Sequence, residues 1–293
     1  MKPGVSPQPG RYFYPDPKLP SSRAANRSTD SYNQSYTSWA NLAELSRAKE
    51  GPILLILSID STALRADWRS LKRVQHVRQL QLRFTTPLTQ TLADSLVGTL
   101  ANWPELNDIQ VSATSPVSST ASGTTPPIDG KASAQLKSVH RLNFLQSGNQ
   151  LRACIQLFSH CPSIFHLSVS DYSPAGSVTL PVDLLAFTTV RSLSIYGMGK
   201  IMGVEKFVSG FPALTALDLG SVGDGEQLTD ALKRVPNLRK LSLSPTQGQN
   251  KISALRLGSL AQLDTLNLRF DHRVPEVVDS ILVGLTTLRD GRE

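Results

Sequence analysis

Cys154, His160, Cys161 and His166 fall within one short stretch of the sequence and could be read as a metal-ligand cluster. A tetrahedral metal site needs four such ligands converging on one point. Gly197-Met198-Gly199-Lys200 is a second candidate, because glycines ahead of a lysine can wrap a phosphate against backbone N–H groups at a helix start. It lacks the third glycine of a dinucleotide-binding loop and the Lys-Ser/Thr ending of a P-loop. The histidines, at 76, 140, 160, 166 and 272, are scattered. No hydrolase elbow, carboxylate pair or cysteine–histidine pairing stands out. Whether either group can do its chemistry depends on the elements that carry it.

Those elements are set by a recurring phrase, Leu-x-x-Leu-x-Leu. It reads Leu214…Leu217…Leu219, Leu238…Leu241…Leu243 and Leu263…Leu266…Leu268. Upstream it persists as Val190…Leu193…Ile195, Ile164…Leu167…Val169, Val139…Leu142…Phe144, Leu106…Ile109…Val111 and Val77…Leu80…Leu82, with Leu54…Leu57…Ile59 as the first copy. Successive phrases from residue 139 onward start 25, 26, 24, 24 and 25 residues apart. A fixed period in the twenties is the signature of a solenoid of leucine-rich repeats. Each phrase alternates apolar and polar residues, which predicts a strand. The segments between phrases switch to helical spacing. Leu228, Ala231, Leu232 and Val235 make one apolar stripe, and Leu151, Cys154, Ile155 and Phe158 another. Leu88, Leu92, Leu96 and Leu100 form a third, with Thr86-Pro87 as cap and first helical residue. Val278, Ile281, Leu282 and Leu285 form a fourth. The expected fold is therefore α/β: a right-handed solenoid of eight or nine repeats with a parallel concave sheet and outer helices.

On this register Cys154 lies on a buried helical stripe, Cys161 in a buried turn before a strand, and His166 on the concave side. Four ligands cannot meet from those directions, so the cysteines read as buried free thiols. The glycine loop sits where every repeat turns from strand to helix, so its context adds nothing. The reading expects no metal, no cofactor and no small-molecule substrate.

The bulk numbers point the same way. A charge of +7 over 293 residues and a pI near 9.5 invite nucleic acid, but only 18% of residues are charged and the densest basic cluster is Arg69, Lys72, Arg73, Arg78 and Arg83. No nucleic-acid partner is expected. Two cysteines make no disulfide framework. The apolar run Ile53–Leu57 is too short to span a bilayer, and the first forty residues lack the apolar core of a secretory signal. Residues 1–40 hold Pro3, Pro7, Pro9, Pro15, Pro17 and Pro20, with only Asp16 and Asp30 as acids, and are expected to be a disordered leader. Residues 41–293 are expected to be the repeat domain. The stretch 112–137, rich in Ser, Thr and Pro, is expected to be a flexible insertion loop.

The junctions Asn102-Trp-Pro-Glu-Leu106, His160-Cys-Pro-Ser-Ile164, Gly210-Phe-Pro-Ala-Leu214 and Arg234-Val-Pro-Asn-Leu238 place a proline two residues before the strand phrase. This pattern resembles the ribonuclease-inhibitor-like repeats of F-box substrate adaptors, and is similar to leucine-rich-repeat effectors of plant-pathogenic bacteria. The resemblance covers about residues 50–290. It departs from those families at the turn asparagine, replaced here by Thr85, Thr114, Ser147, Tyr172, Met198, Val222, Thr246 and Asp271, which predicts an irregular solenoid. No F-box precedes the repeats; Trp39–Leu45 is too brief for one. The resemblance implies a non-catalytic protein-recognition module, with a host protein or a ubiquitin-pathway component as partner. Together with the acid-poor leader, it implies a bacterial effector exported by a type III-like route into a host cell, and otherwise cytoplasmic. The alternatives are an F-box-like adaptor or scaffold without its own F-box, and an enzyme whose site the repeats conceal.

Alternation along each strand also lists the concave face. The first column is Gln79, Asp108, Arg141, His166, Ser192, Ala216, Lys240 and Thr265. The second is Gln81, Gln110, Asn143, Ser168, Ser194, Asp218, Ser242 and Asn267. The third is Arg83, Ser112, Leu145, Ser170, Tyr196, Gly220, Ser244 and Arg269. Arg83, Arg141, Tyr196 and Arg269 are the expected anchors, since Tyr and Arg concentrate binding energy at interfaces. His166, Asp218, Lys240 and Asn267 complete the partner-binding set.

Overall fold

A computed structural model describes residues 54–59, 68–74, 76–113, 127–145, 150–171, 177–180, 182–197, 200–202, 207–220, 225–243, 260 and 262–268. All belong to Asn33–Glu293, the second of two units into which the chain divides. Residues 1–40, the stripe Val278–Leu285 and Arg269 lie outside the described residues.

The strand phrases form strands in chain order: β1 (Leu54–Ile59), β2 (Gln79–Phe84), β3 (Asp108–Ala113), β4 (Arg141–Leu145), β5 (His166–Asp171), β7 (Ser192–Gly197), β9 (Ala216–Leu219), β10 (Lys240–Leu243) and β11 (Thr265–Leu268). They make a single nine-stranded sheet, all parallel, in which each strand pairs with the next phrase in sequence. Alternation explains why they pair this way. In β2, Leu80, Leu82 and Phe84 are buried while Gln79 and Arg83 are exposed, and a shift by one residue would turn every leucine to water. The register therefore repeats without slipping. Leu55, Leu80, Ile109, Leu142, Leu167, Leu193, Leu217, Leu241 and Leu266 lie side by side across the sheet.

A second regularity locks the start of each strand. The carbonyl of Asn107 accepts the N–H groups of both His140 and Arg141, each at 2.9 Å. The carbonyls of Arg78, His140, Phe165, Arg191, Thr215 and Arg239 do the same for the following strand. This forked bond satisfies two donors where the chain bends into the sheet.

The layer packed on the buried face is less uniform than the sequence suggests. α-Helices occupy α1 (Trp68–Lys72), α2 (Gln90–Leu100), α3 (Leu151–Phe158) and α4 (Gly225–Lys233), but Gly130–Gln135 and Val182–Ala186 are 3₁₀ helices. Neither segment carries one of the helical stripes expected from the sequence. A 3₁₀ turn advances farther per residue than an α-helix, so a short segment spans the same distance. The expected 112–137 loop is also narrower: Ser112 and Ala113 belong to β3 and Gly130–Gln135 is helical, while residues 114–126 lie outside the described residues. The cap of α2 is Thr89, whose hydroxyl accepts the Leu92 N–H at 3.4 Å, and not Thr86.

Side-chain amides hold this layer together. Gln90 bonds Asp129 in both directions, accepting its N–H at 2.8 Å and donating to its carbonyl at 3.2 Å. Gln156 accepts the Ile128 N–H at 3.0 Å and donates to Asp183 at 2.9 Å, while Arg152 pairs with the other Asp183 oxygen at 3.0 Å. Buried Gln150 accepts the Leu88 N–H at 3.2 Å. Between sheet and outer layer runs one continuous apolar core containing Trp103, Phe84, Phe144, Phe158, Phe187 and Phe211.

A two-stranded parallel sheet, β6 (Ser177–Thr179) with β8 (Lys200–Met202), lies apart from the main ladder. It corrects the reading of Gly197–Lys200, which runs from one strand into another and not into a helix.

Candidate functional site

The nine strands turn one side to the core and the other outward. The outward side carries three aligned columns, and the pairing Gln79–Asp108–Arg141–His166–Ser192–Ala216–Lys240–Thr265 is the first of them. Side chains in one column stand about 4.8 Å apart, so each can interact with those before and after it.

The predicted residues fall into separate groups on this face. Arg141 opens β4, exposed, between Asp108 of β3 and His166 of β5. Asn143 donates to Asp108 at 3.1 Å. Half-burial raises the Asp108 carboxyl above its usual range, opposed by the charge of Arg141, the Asn143 bond and His166. Burial also lowers His166, assisted by the positive charge of Arg141 and by His140 and opposed by Asp108. These groups therefore sense one another.

Tyr196 and Asp218 make the second group. The Tyr196 hydroxyl donates to Asp218 Oδ2 across the β7–β9 boundary at 2.5 Å. The other oxygen, Oδ1, is buried and has no hydrogen-bond partner among the described residues. The tyrosine ring lies over Gly220, where a Cβ would stand 2.8 Å from ring Cδ1. The absence of a side chain at Gly220 is what leaves room for the ring.

The remaining positions stand apart. Arg83 donates to Gln81 of its own strand at 3.5 Å. Lys240 is exposed on β10, and Asn267 donates to Ser242 at 3.4 Å. The structure thus brings together Arg141 with His166 and Tyr196 with Asp218, but not the whole predicted set.

Reading columns from the strands alone misses one more. The first variable residue of each phrase sits where the chain bends into the sheet, and forms a rim column: Arg78, Asn107, His140, Phe165, Arg191, Thr215, Arg239 and Asp264. His140 stacks on Phe165 with ring centroids 5.3 Å apart and planes inclined by 29°. The Arg191 guanidinium lies over the Phe165 ring, its carbon 5.0 Å from the centroid. At the β2 end, Glu105 bonds His76 at 2.8 Å and Arg78 at 3.0 Å, and both hold its carboxyl below the usual range. The signal was present in the sequence as Val139-His140, Ile164-Phe165 and Val190-Arg191.

The residues first considered for metal chemistry are dispersed. Cys154 is buried on α3 and Cys161 buried in the turn after it, and burial pushes each thiol up to about 12. His160 Nδ1 lies 3.0 Å from the Ser159 hydroxyl, which donates to the Gln156 carbonyl. His166 faces outward on β5. Among the described residues no three His, Cys, Asp or Glu side chains are grouped to hold a metal ion, and no helix is long and apolar enough to cross a membrane. No protein-family model matches the chain, and no curated protein matches it.

Proposed function

We propose that the chain is a leucine-rich-repeat recognition module that binds another protein on the outward face of its sheet and performs no reaction of its own. The observation that carries this reading is repetition. Nine parallel strands follow one another in sequence order, one register runs through all of them, and the same forked bond recurs at the strand starts. A chain built of one repeated unit gains a long surface from each copy. Nine strands span roughly 40 Å, room for the approximately 800 Å² that each partner contributes to a standard interface. That face is lined by hydrogen-bonding Ser, Asn and Gln with a few large residues among them.

The partner in this reading is a host protein or a ubiquitin-pathway component, and the composition of residues 1–40 supports delivery by a type III-like route. Affinity capture with the full chain tests the binding half. Replacing Arg83→Ala and Tyr196→Ala together removes two large side chains from the third column without touching the core. The reading expects the double variant to lose partners that the wild-type chain captures from host extract. Equal capture by both, with matching circular dichroism, would reject the outward face as the binding surface.

A further inference from the structure

We propose that the rim formed by His140, Arg141, Phe165, His166 and Arg191 receives an acidic segment of the partner protein. This rests on the recognition reading above and names the chemistry of one part of the surface.

Three neighbouring repeats contribute to it: His140 and Arg141 from the first, Phe165 and His166 from the second, and Arg191 from the third. The forked bonds from the His140 and Phe165 carbonyls, at 3.0 and 2.9 Å, fix the backbone of His166 and Ser192 relative to the preceding strand. On that fixed frame the Phe165 ring is flanked by His140 on one side and Arg191 on the other. Arg141 and His166 stand beside them in the next column. A half-buried aromatic ring stacked on His140 and capped by the Arg191 cation is a preorganised anchor, since ring and guanidinium hold each other in place before a ligand arrives.

The cations here are also unspent. Elsewhere, Arg78 is paired with Glu105 and Arg152 with Asp183. Among the described residues neither Arg141 nor Arg191 makes a salt bridge. Asp108, in register with Arg141 on the neighbouring strand, is bonded to Asn143. Guanidinium groups match carboxylates in a planar two-point geometry, so an Asp/Glu-bearing segment fits this rim.

Nucleic acid fits it less well. The patch covers three strands, about 10 Å, which suits one or two carboxylate side chains. A phosphate backbone needs a longer run of cations. Along the rim that run is broken by Asn107 and Thr215 and reversed by Asp264, while Asp218 adds a carboxylate to the adjoining face.

The test is fluorescence anisotropy of the full chain with a short labelled Asp/Glu peptide, its Asn/Gln counterpart and a single-stranded oligothymidylate. Two variants of equal net charge are compared: Arg141→Gln with Arg191→Gln on the rim, and Arg152→Gln with Arg234→Gln on the outer layer. All four side chains are exposed, and circular dichroism verifies that each variant keeps its fold. The proposal expects the acidic peptide to bind, the amide peptide not to, and the rim variant alone to weaken binding about tenfold, a typical effect of removing two interfacial charges. Equal weakening in both variants, or no binding of the acidic peptide, would overturn it. So would tighter, rim-dependent binding of the oligonucleotide. If capture through Arg83 and Tyr196 persists while the rim variant behaves as wild type, the acidic-segment assignment falls and the recognition reading stands.

Discussion

Two side chains on the outward face are held in conditions that a measurement can read. His166 is pushed below the ordinary imidazole value of 6.5, first by burial and then by Arg141, with Asp108 acting the other way. NMR titration of its ring should give a midpoint under 6.5. Arg141→Gln should raise that midpoint and Asp108→Asn should lower it further. The sign for stability follows from linkage. A folded-state value below the unfolded one means His166 contributes stability above 6.5, which is lost as the pH falls through the folded-state midpoint. The second case is Gly220. A methyl group there would meet Tyr196 at Cδ1, 2.8 Å away, and at Cα, 3.3 Å away. Gly220→Ala should cost roughly 1–3 kcal/mol, the usual range for overpacking. Urea unfolding of the single and double variants is the measurement. In a Tyr196→Ala background the cost should fall by more than half, because the ring that clashes is gone.

At the scale of elements, the strands were legible and much of the outer layer was not. A strand needs only alternation, and phrases such as Gln79-Leu-Gln-Leu-Arg-Phe84 fix both its existence and its face. The parallel order followed because every phrase is followed by chain long enough to return. The 3₁₀ segments left no such mark. Gly130–Gln135 is specified by what surrounds it: Asp129 caps its first turn through the Lys131 N–H at 3.0 Å, and Gln90 and Gln156 hold the chain before it. Those partners lie 28 to 39 residues away, beyond any local pattern. The short pairing of β6 with β8 was illegible for the same reason. Within the site, the three columns could be listed from register, but the flanking of Phe165 by His140 and Arg191 required knowing how the chain bends into the sheet. One element can be tested directly. A Cβ at Gly130 would lie 1.9 Å from the backbone carbonyl oxygen of Gln156 in α3. Backbone cannot swing aside as a side chain can, so Gly130→Ala should cost at least the upper part of the roughly 1–3 kcal/mol overpacking range. Thermal unfolding should show the loss, whereas Gly98→Ala, with nothing within 4 Å of the new methyl, should be neutral or slightly stabilising because alanine favours the helix.

At the scale of the whole molecule, each strand bonds to its neighbours in sequence and the apolar core runs continuously behind them. Stability is then distributed along the chain, and the outward side chains point away from the leucines behind them. That separation is why a Ser- and Asn-lined face and a cationic rim can coexist on one frame, and why we place recognition on the sheet and not on the outer layer. Site-specific photo-crosslinking tests this claim most directly. Benzoylphenylalanine is introduced at Ser194, in the middle of the outward face, or at Lys233, exposed near the end of α4. Each full-length protein is irradiated in host extract. The account predicts a discrete covalent protein adduct from position 194 and none from position 233. Adducts from 233 alone, or the same adducts from both positions, would contradict it.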